Sequence, residues 1–226
     1  MMGNKSFLKS YGQSPGNMFL LGYLPVFMLL LILVLVRSKA FIHMAMNSFH
    51  TPFLDLLMKY WTWLGDGILL VIFILGLLLV SFRCFFTALT AFLFSGMGVQ
   101  FLKRVLFSDF PRPMKYFEIN RSDYELYLVP GVEINTWFSF PSGHTATAFA
   151  LFFAIALLTR SKIAQAGLLI LALGVGYSRV YLSQHFLMDV VAGSLLGMVM
   201  GWIAWRLFRD IDQNWMDRSL NNILKK

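Results

Sequence analysis

"MFLLGYLPVFMLLLILVLV", Met18 to Val36, runs for nineteen residues without a charged side chain. A helix rises about 1.5 Å per residue, so the run spans about 28 Å, close to the roughly 30 Å hydrocarbon core of a bilayer. It therefore reads as a membrane span. Lys5 and Lys9 precede it in the manner of a secretory leader. The run is longer than a leader's apolar region, and the nearest small-residue site after it, "SKA" at Ser38 to Ala40, is interrupted by lysine. A retained first span is the expectation.

The rest of the chain has the same character. Of its 226 residues 58% are hydrophobic and 13% charged, with a mean hydropathy of +0.68, which excludes an ordinary soluble globule. Five further segments approach spanning length: Leu64 to Phe82, Cys84 to Phe101, Gly143 to Leu158, Ile163 to Ser178 and Phe186 to Trp205. The shorter ones can reach across by extending a turn into the interface. The expected fold is all-α, a bundle of six transmembrane helices forming a single domain over residues 1–226.

Between the first two spans, "AFIHMAMNSFHTPFLDLLMKYWTWL" alternates apolar and polar residues at helical spacing. This predicts an amphipathic helix lying in the interface. His43 and His50 fall there as interfacial polar residues, with no carboxylate or cysteine at ligand spacing. The lone cysteine, Cys84, permits no internal disulfide and reads as packing.

The formal charge of +8 could suggest nucleic acid, but the basic residues are scattered between apolar runs and form no continuous stripe. They fit lipid headgroups and topology instead. Cytoplasmic loops carry the excess of lysine and arginine. Six spans put both termini on one side, and placing them inside gathers Lys5, Lys9, Arg83, Arg160, Lys162, Arg206, Arg209, Arg218, Lys225 and Lys226 there. The long polar segment from Lys103 to Phe140 then lies outside. A connection of that length is usually functional. Its tyrosines and Trp137 read as an aromatic belt at headgroup level, or as part of a lipid-binding surface.

Three fragments share that outer side: "KRVLFSDFPRP", "PSGH" and "SRVYLSQHFLMD". His185 and Asp189 are four apart, so on a helix they share a face and the carboxylate can hold one ring nitrogen. The other nitrogen is then offered as nucleophile or base. Arg179 and Arg112, the latter between two prolines, present forks suited to phosphate oxygens. In "PSGH", Pro141 can start a helical turn, Ser142 can cap it or bind an anion, and Gly143 lets its amide approach a ligand. His144 would stand beside such an anion, placed to donate a proton.

These fragments resemble the type 2 phosphatidic acid phosphatase superfamily, whose signature reads K-x6-R-P, P-S-G-H and S-R-x5-H-x3-D. The second and third motifs match in full. The first departs: eight residues separate Lys103 from Arg112, and seven separate Arg104 from Arg112. Lys103 is assigned the family lysine's place because the residue type matches, with Arg104 as the alternative. The resemblance implies a metal-independent phosphatase without cofactor. His185 would form a phosphohistidine, Asp189 would hold its ring, and His144 would act as acid and then base. Lys103, Arg112, Ser142, Gly143 and Arg179 would bind the phosphate. The implied partner is a phosphorylated lipid in its membrane: phosphorylated lipid A, a polyprenyl pyrophosphate, phosphatidylglycerol phosphate or phosphatidic acid. A bacterial inner membrane is the expected location, from the chain's compactness and its lack of organelle-retention signals, and the charge bias above puts the site on the periplasmic face. A phosphotransferase of the same family and a non-enzymatic lipid or anion transporter are the alternatives.

Overall fold

The structure, a computed structural model, describes residues 16–224. Lys5, Lys9, Lys225 and Lys226, counted above on the side of the termini, lie outside the described residues. Those described form helices and connections, with no strand among them. Helix α1 is Asn17–Val36, α2 is Lys39–Asn47, α3 is Pro52–Trp61 and α4 is Gly67–Gly76. Next come α5, Phe82–Phe101, continued by a π turn over Leu102–Leu106, and α6, Pro113–Asn120. The chain closes with α7, Gly143–Leu158, α8, Lys162–Tyr181, α9, Leu187–Arg209, and the short α10, Leu220–Leu224.

Helices α1, α5, α8 and α9 are long and apolar enough to cross a membrane. A fifth candidate is a broken one, Pro52–Gly65 with Gly67–Leu79, bent by 59°. Its break has a local cause, because the Asp66 carboxylate accepts the Ile68 amide at 2.9 Å and starts a new helix there. This corrects the expected second span over Leu64 to Phe82: the helix starts at Gly67, and Phe82 opens α5 instead.

Ala40 to Leu64 is likewise not one interfacial helix. It divides into α2 and α3, each opened by a hydroxyl cap, Ser38 to the Phe41 amide and Thr51 to the Leu54 amide. His43 is 1% exposed, and His50 Nδ1 lies 2.9 Å from Asp55 Oδ1. His43 is therefore buried within the bundle, and His50 is paired with a carboxylate. Sequence spacing hid the second pairing, which crosses a helix cap and not a helical turn.

Helix α7 is the axis of the bundle, packed against α5, α8 and α9. At 16 residues it is shorter than α1, α5, α8 and α9. Its mixture of alanine, phenylalanine and leucine is apolar all round, as a helix wrapped by other helices requires. Helix α9 meets it through a column of glycines. A methyl group on Gly193, Gly197 or Gly201 would fall 2.6, 2.4 or 2.6 Å from the carbonyl oxygens of Ser142, Ala146 and Ala150. No larger residue fits without separating the helices, the close approach that small residues four apart permit in membranes. The same contact sets the start of α7 against the start of α9, where the Ser142 amide donates to the Asp189 carbonyl at 3.0 Å. His144 and His185 are thereby brought to one end of the bundle.

At the opposite end Arg83, 2% exposed, clamps the C-terminal segment by donating to Asp217 Oδ1 at 2.7 Å and to the carbonyls of Ile211 and Phe208. A residue expected to be a loop charge is thus a buried fastener. Cys84 packs at the edge of the main core beside Leu77.

Candidate active site

His185 lies in the turn between α8 and α9. That turn is fixed by backbone bonds, the amides of Gln184 and His185 both donating to the Arg179 carbonyl at 3.0 and 3.1 Å. Asp189 sits in the first turn of α9, and its Oδ2 accepts the Phe186 amide at 3.0 Å. A carboxylate there completes the orphan donors of the helix start and is favoured by the helix dipole. The same oxygen lies 3.3 Å from His185 Nδ1 and accepts from the Ser139 hydroxyl. One carboxylate therefore caps α9 and orients the imidazole, leaving Nε2 as the edge turned away from it.

Around this ring stand Arg112, Lys103, Arg179 and His144, all within electrostatic range. Burial, and then the positive charges of Arg112, Lys103 and Arg179, push the His185 pKa well below its ordinary value. The imidazole is neutral near pH 7, as a nucleophile must be.

Each cation is held by its own element. Arg112 caps α6 just before Pro113, and its amide donates to the Thr136 carbonyl at 2.8 Å. Its Nε donates to the Trp137 carbonyl at 2.9 Å and its Nη1 to Gln184 Oε1 at 3.1 Å. Burial lowers the Arg112 pKa against the opposing pull of Asp189. Arg179, on the last turn of α8, donates from Nη1 to Thr62 Oγ1 at 2.7 Å and from Nη2 to Gln184 Oε1 at 3.4 Å. Its Nε is buried without a hydrogen-bond partner. An orphaned charged donor is expensive unless a ligand supplies the acceptor.

Lys103 occupies the π turn, is 8% exposed, and interacts with Arg112, Asp189 and Arg179. Arg104 points outward, bonded to Gln100 Oε1 at 3.1 Å. A π turn takes up one more residue than an α turn and is common at functional sites. Here it falls where the sequence is longer than the family spacing, and it turns the lysine inward.

Ser142 is the N-cap of α7, yet its side chain caps no amide, its oxygen instead accepting from the Thr145 hydroxyl at 2.8 Å. The helix start, with Gly143 and half-buried His144, is left with uncapped N–H groups of the kind that bind anions. All eight sequence-assigned residues thus meet at one end of the bundle. Three contributors carried no sequence signal: Gln184, Ser139 and Thr62. Of the long segment's aromatics, Tyr116 and Tyr124 pack against Phe117 and Phe186, while Trp137 stays 42% exposed. Among the described residues no group of three or more His, Cys, Asp or Glu is placed to hold a metal ion.

A helical membrane bundle that ends in a cationic pocket around a carboxylate-oriented imidazole defines an integral membrane protein built for phosphoryl chemistry. The model of the PAP2 superfamily matches residues 83–213, more than half the chain and every motif residue named above, and the chain belongs to that superfamily of phosphatases. A lipid A 4'-phosphatase of Bacteroides thetaiotaomicron is 29% identical across 70% of this chain and 72% of its own length. The undecaprenyl-diphosphatase BcrC of Bacillus subtilis is 33% identical over 35% of this chain and 39% of its own. Among solved structures, LpxE of Aquifex aeolicus superposes with a TM-score of 0.61 at 28% identity, covering 73% of this chain and 92% of that one. A PAP2-type phosphatidylglycerolphosphate phosphatase of Bacillus subtilis gives 0.57 at 25% identity, covering 88% and 97%.

Proposed function

We propose that the chain removes phosphate from a lipid phosphomonoester or diphosphate through a phosphohistidine on His185. The observation that carries this reading is an imidazole oriented by Asp189 and surrounded by Arg112, Arg179 and Lys103. The Nε2 lone pair attacks phosphorus as the bond to the lipid oxygen breaks, and His144 gives that oxygen its proton. Water then attacks the phosphohistidine while His144 takes a proton from it. The P–N bond breaks, its electron pair returns to the ring, and phosphate leaves. The two arginines, Lys103, Ser142 and the Gly143 amide stabilise the equatorial oxygens, the contribution on which phosphoryl transfer chiefly depends.

The substrate class is a phosphorylated membrane lipid. Of the candidates, phosphorylated lipid A has the longest sequence match in its support, ahead of polyprenyl diphosphate, phosphatidylglycerol phosphate and phosphatidic acid. The bent pair and α7 supply the second and fourth of six spans in a single domain. Both termini then share the cytoplasmic side of an inner membrane and the site opens to the periplasm, an orientation supported by Arg160, Lys162, Arg206 and Arg209 at the far end.

Phosphate release from a panel of these lipids in detergent micelles tests the reading. The wild type turns over, chelator leaves it active, and His185→Ala and His144→Ala each lose at least ~1,000-fold. Turnover indifferent to both changes, or none on any lipid, overturns it. Label appearing on an added lipid alcohol rather than in free phosphate selects the phosphotransferase.

A further inference from the structure

Gln184 precedes the nucleophile, is 2% exposed, and has every polar group engaged. Its amide donates to the Arg179 carbonyl at 3.0 Å, and its own carbonyl accepts from Arg112 Nη1 at 3.4 Å. In the side chain, Oε1 accepts from Arg112 Nη1 at 3.1 Å and from Arg179 Nη2 at 3.4 Å, while Nε2 donates to the Glu133 carbonyl at 2.8 Å. The orientation of this amide is not ambiguous. Guanidinium groups only donate and a backbone carbonyl only accepts, so the oxygen must face the arginines and the nitrogen must face Glu133.

We infer that Gln184 is a positioning residue: its side-chain oxygen bridges the two guanidinium groups and sets their separation and aim, while leaving their charge available to the phosphate. The inference rests on the phosphatase reading. Two like charges held against one oxygen repel, and without a shared acceptor each fork would swing toward solvent or another carbonyl. A carboxylate in this place would also accept from both guanidinium groups, but it would neutralise the pocket meant for an anion and turn an oxygen toward the Glu133 carbonyl. A neutral amide does the first without the second. The Glu133 bond adds the long segment to the same clamp, and chain adjacency to His185 locks the cradle to the nucleophile.

The test compares wild type, Gln184→Glu, Gln184→Asn and Gln184→Leu in detergent by three measurements. These are thermal unfolding, the affinity for orthovanadate from the shift it causes in unfolding, and kcat and KM on the best lipid substrate. Gln184→Glu, which keeps an acceptor for both arginines but loses the bond to the Glu133 carbonyl, is expected to stay folded, yet to bind vanadate and turn over at least ~10-fold less well. Gln184→Leu is expected to lose ~10–100-fold in kcat, the scale on which partners behind charged ligands act, with a smaller change in KM. Gln184→Asn, one methylene shorter, should fall between. If Gln184→Leu does not fold, the other two decide. Variants whose vanadate affinity and kcat match wild type overturn the inference and leave the phosphatase intact. A wild type that neither turns over nor binds vanadate overturns the phosphatase reading, and this inference with it.

Discussion

Two histidine–aspartate pairs, one part-buried and one fully buried, lie near the same end of this protein, and they live in opposite surroundings. At His50 the Asp55 carboxylate accepts Nδ1 at 2.9 Å, the Tyr181 hydroxyl at 2.6 Å and the Tyr127 hydroxyl at 2.7 Å. Tyrosine rings stand 4.3 and 4.2 Å from the imidazole, and Asn47 faces its second nitrogen at 3.4 Å. Every polar group is consumed, and the pair ties α3 and α8 to the long segment. At His185 the pair is looser, 3.3 Å, and its neighbours are three cations and a second histidine. The dyad alone is only a hydrogen bond. Unspent positive charge beside it makes a site.

Breaking each carboxylate separates the two most sharply. Asp189→Asn is expected to lower phosphate release by ~10²–10⁴, as when an orienting carboxylate is removed from a catalytic histidine. Asp55→Asn should leave kcat close to wild type and lower stability by about 1–3 kcal/mol, seen as an earlier unfolding transition. Equal losses of activity in both would dissolve the distinction. Next in size is the neighbour pair on the π turn: Lys103→Ala should cost ~100-fold in kcat/KM, the scale of one lost charge-stabilising donor, and Arg104→Ala almost nothing.

A smaller effect comes from His43, which is hydrogen-bonded to Ser183 at 3.2 Å while its Nδ1 is buried without a partner. Burial, then the nearby His50, lowers its pKa from 6.5 to about 4. Between those values the unfolded chain binds a proton that the folded chain refuses. Stability is therefore full above about pH 6.5 and falls with acidification, by up to about 1.4 kcal/mol per unit. Unfolding temperatures of the wild type and His43→Gln, measured at pH 7 and pH 5, should show a steeper acid loss in the wild type. Identical slopes would remove His43 from this account.

Much of the site was legible because it is local. His185 and Asp189 are only four residues apart, one in the turn before α9 and the other in its first turn, Arg112 lies between its prolines, and the start of α7 is written in "PSGH". The apolar runs likewise speak for themselves through length. Gln184 and Ser139 gave no such signal, since Arg112, Glu133 and Asp189, which they bond, are tens of residues away and glutamine or serine in a turn is usually solvated. His50 and Asp55 were missed for a related reason, because a helix cap between them breaks the periodicity that reveals pairs.

By itself, then, the sequence determined a membrane-embedded helical bundle and the motif residues that gather at one end of it, because hydrophobic length and short-range spacing act along the chain. Only the tertiary structure decided which basic neighbour turns inward, which histidine is buried, where the bent pair of helices breaks, and which side chain accepts from both arginines. Those outcomes depend on burial and on hydrogen-bond partners from distant elements, and no short stretch of chain contains them.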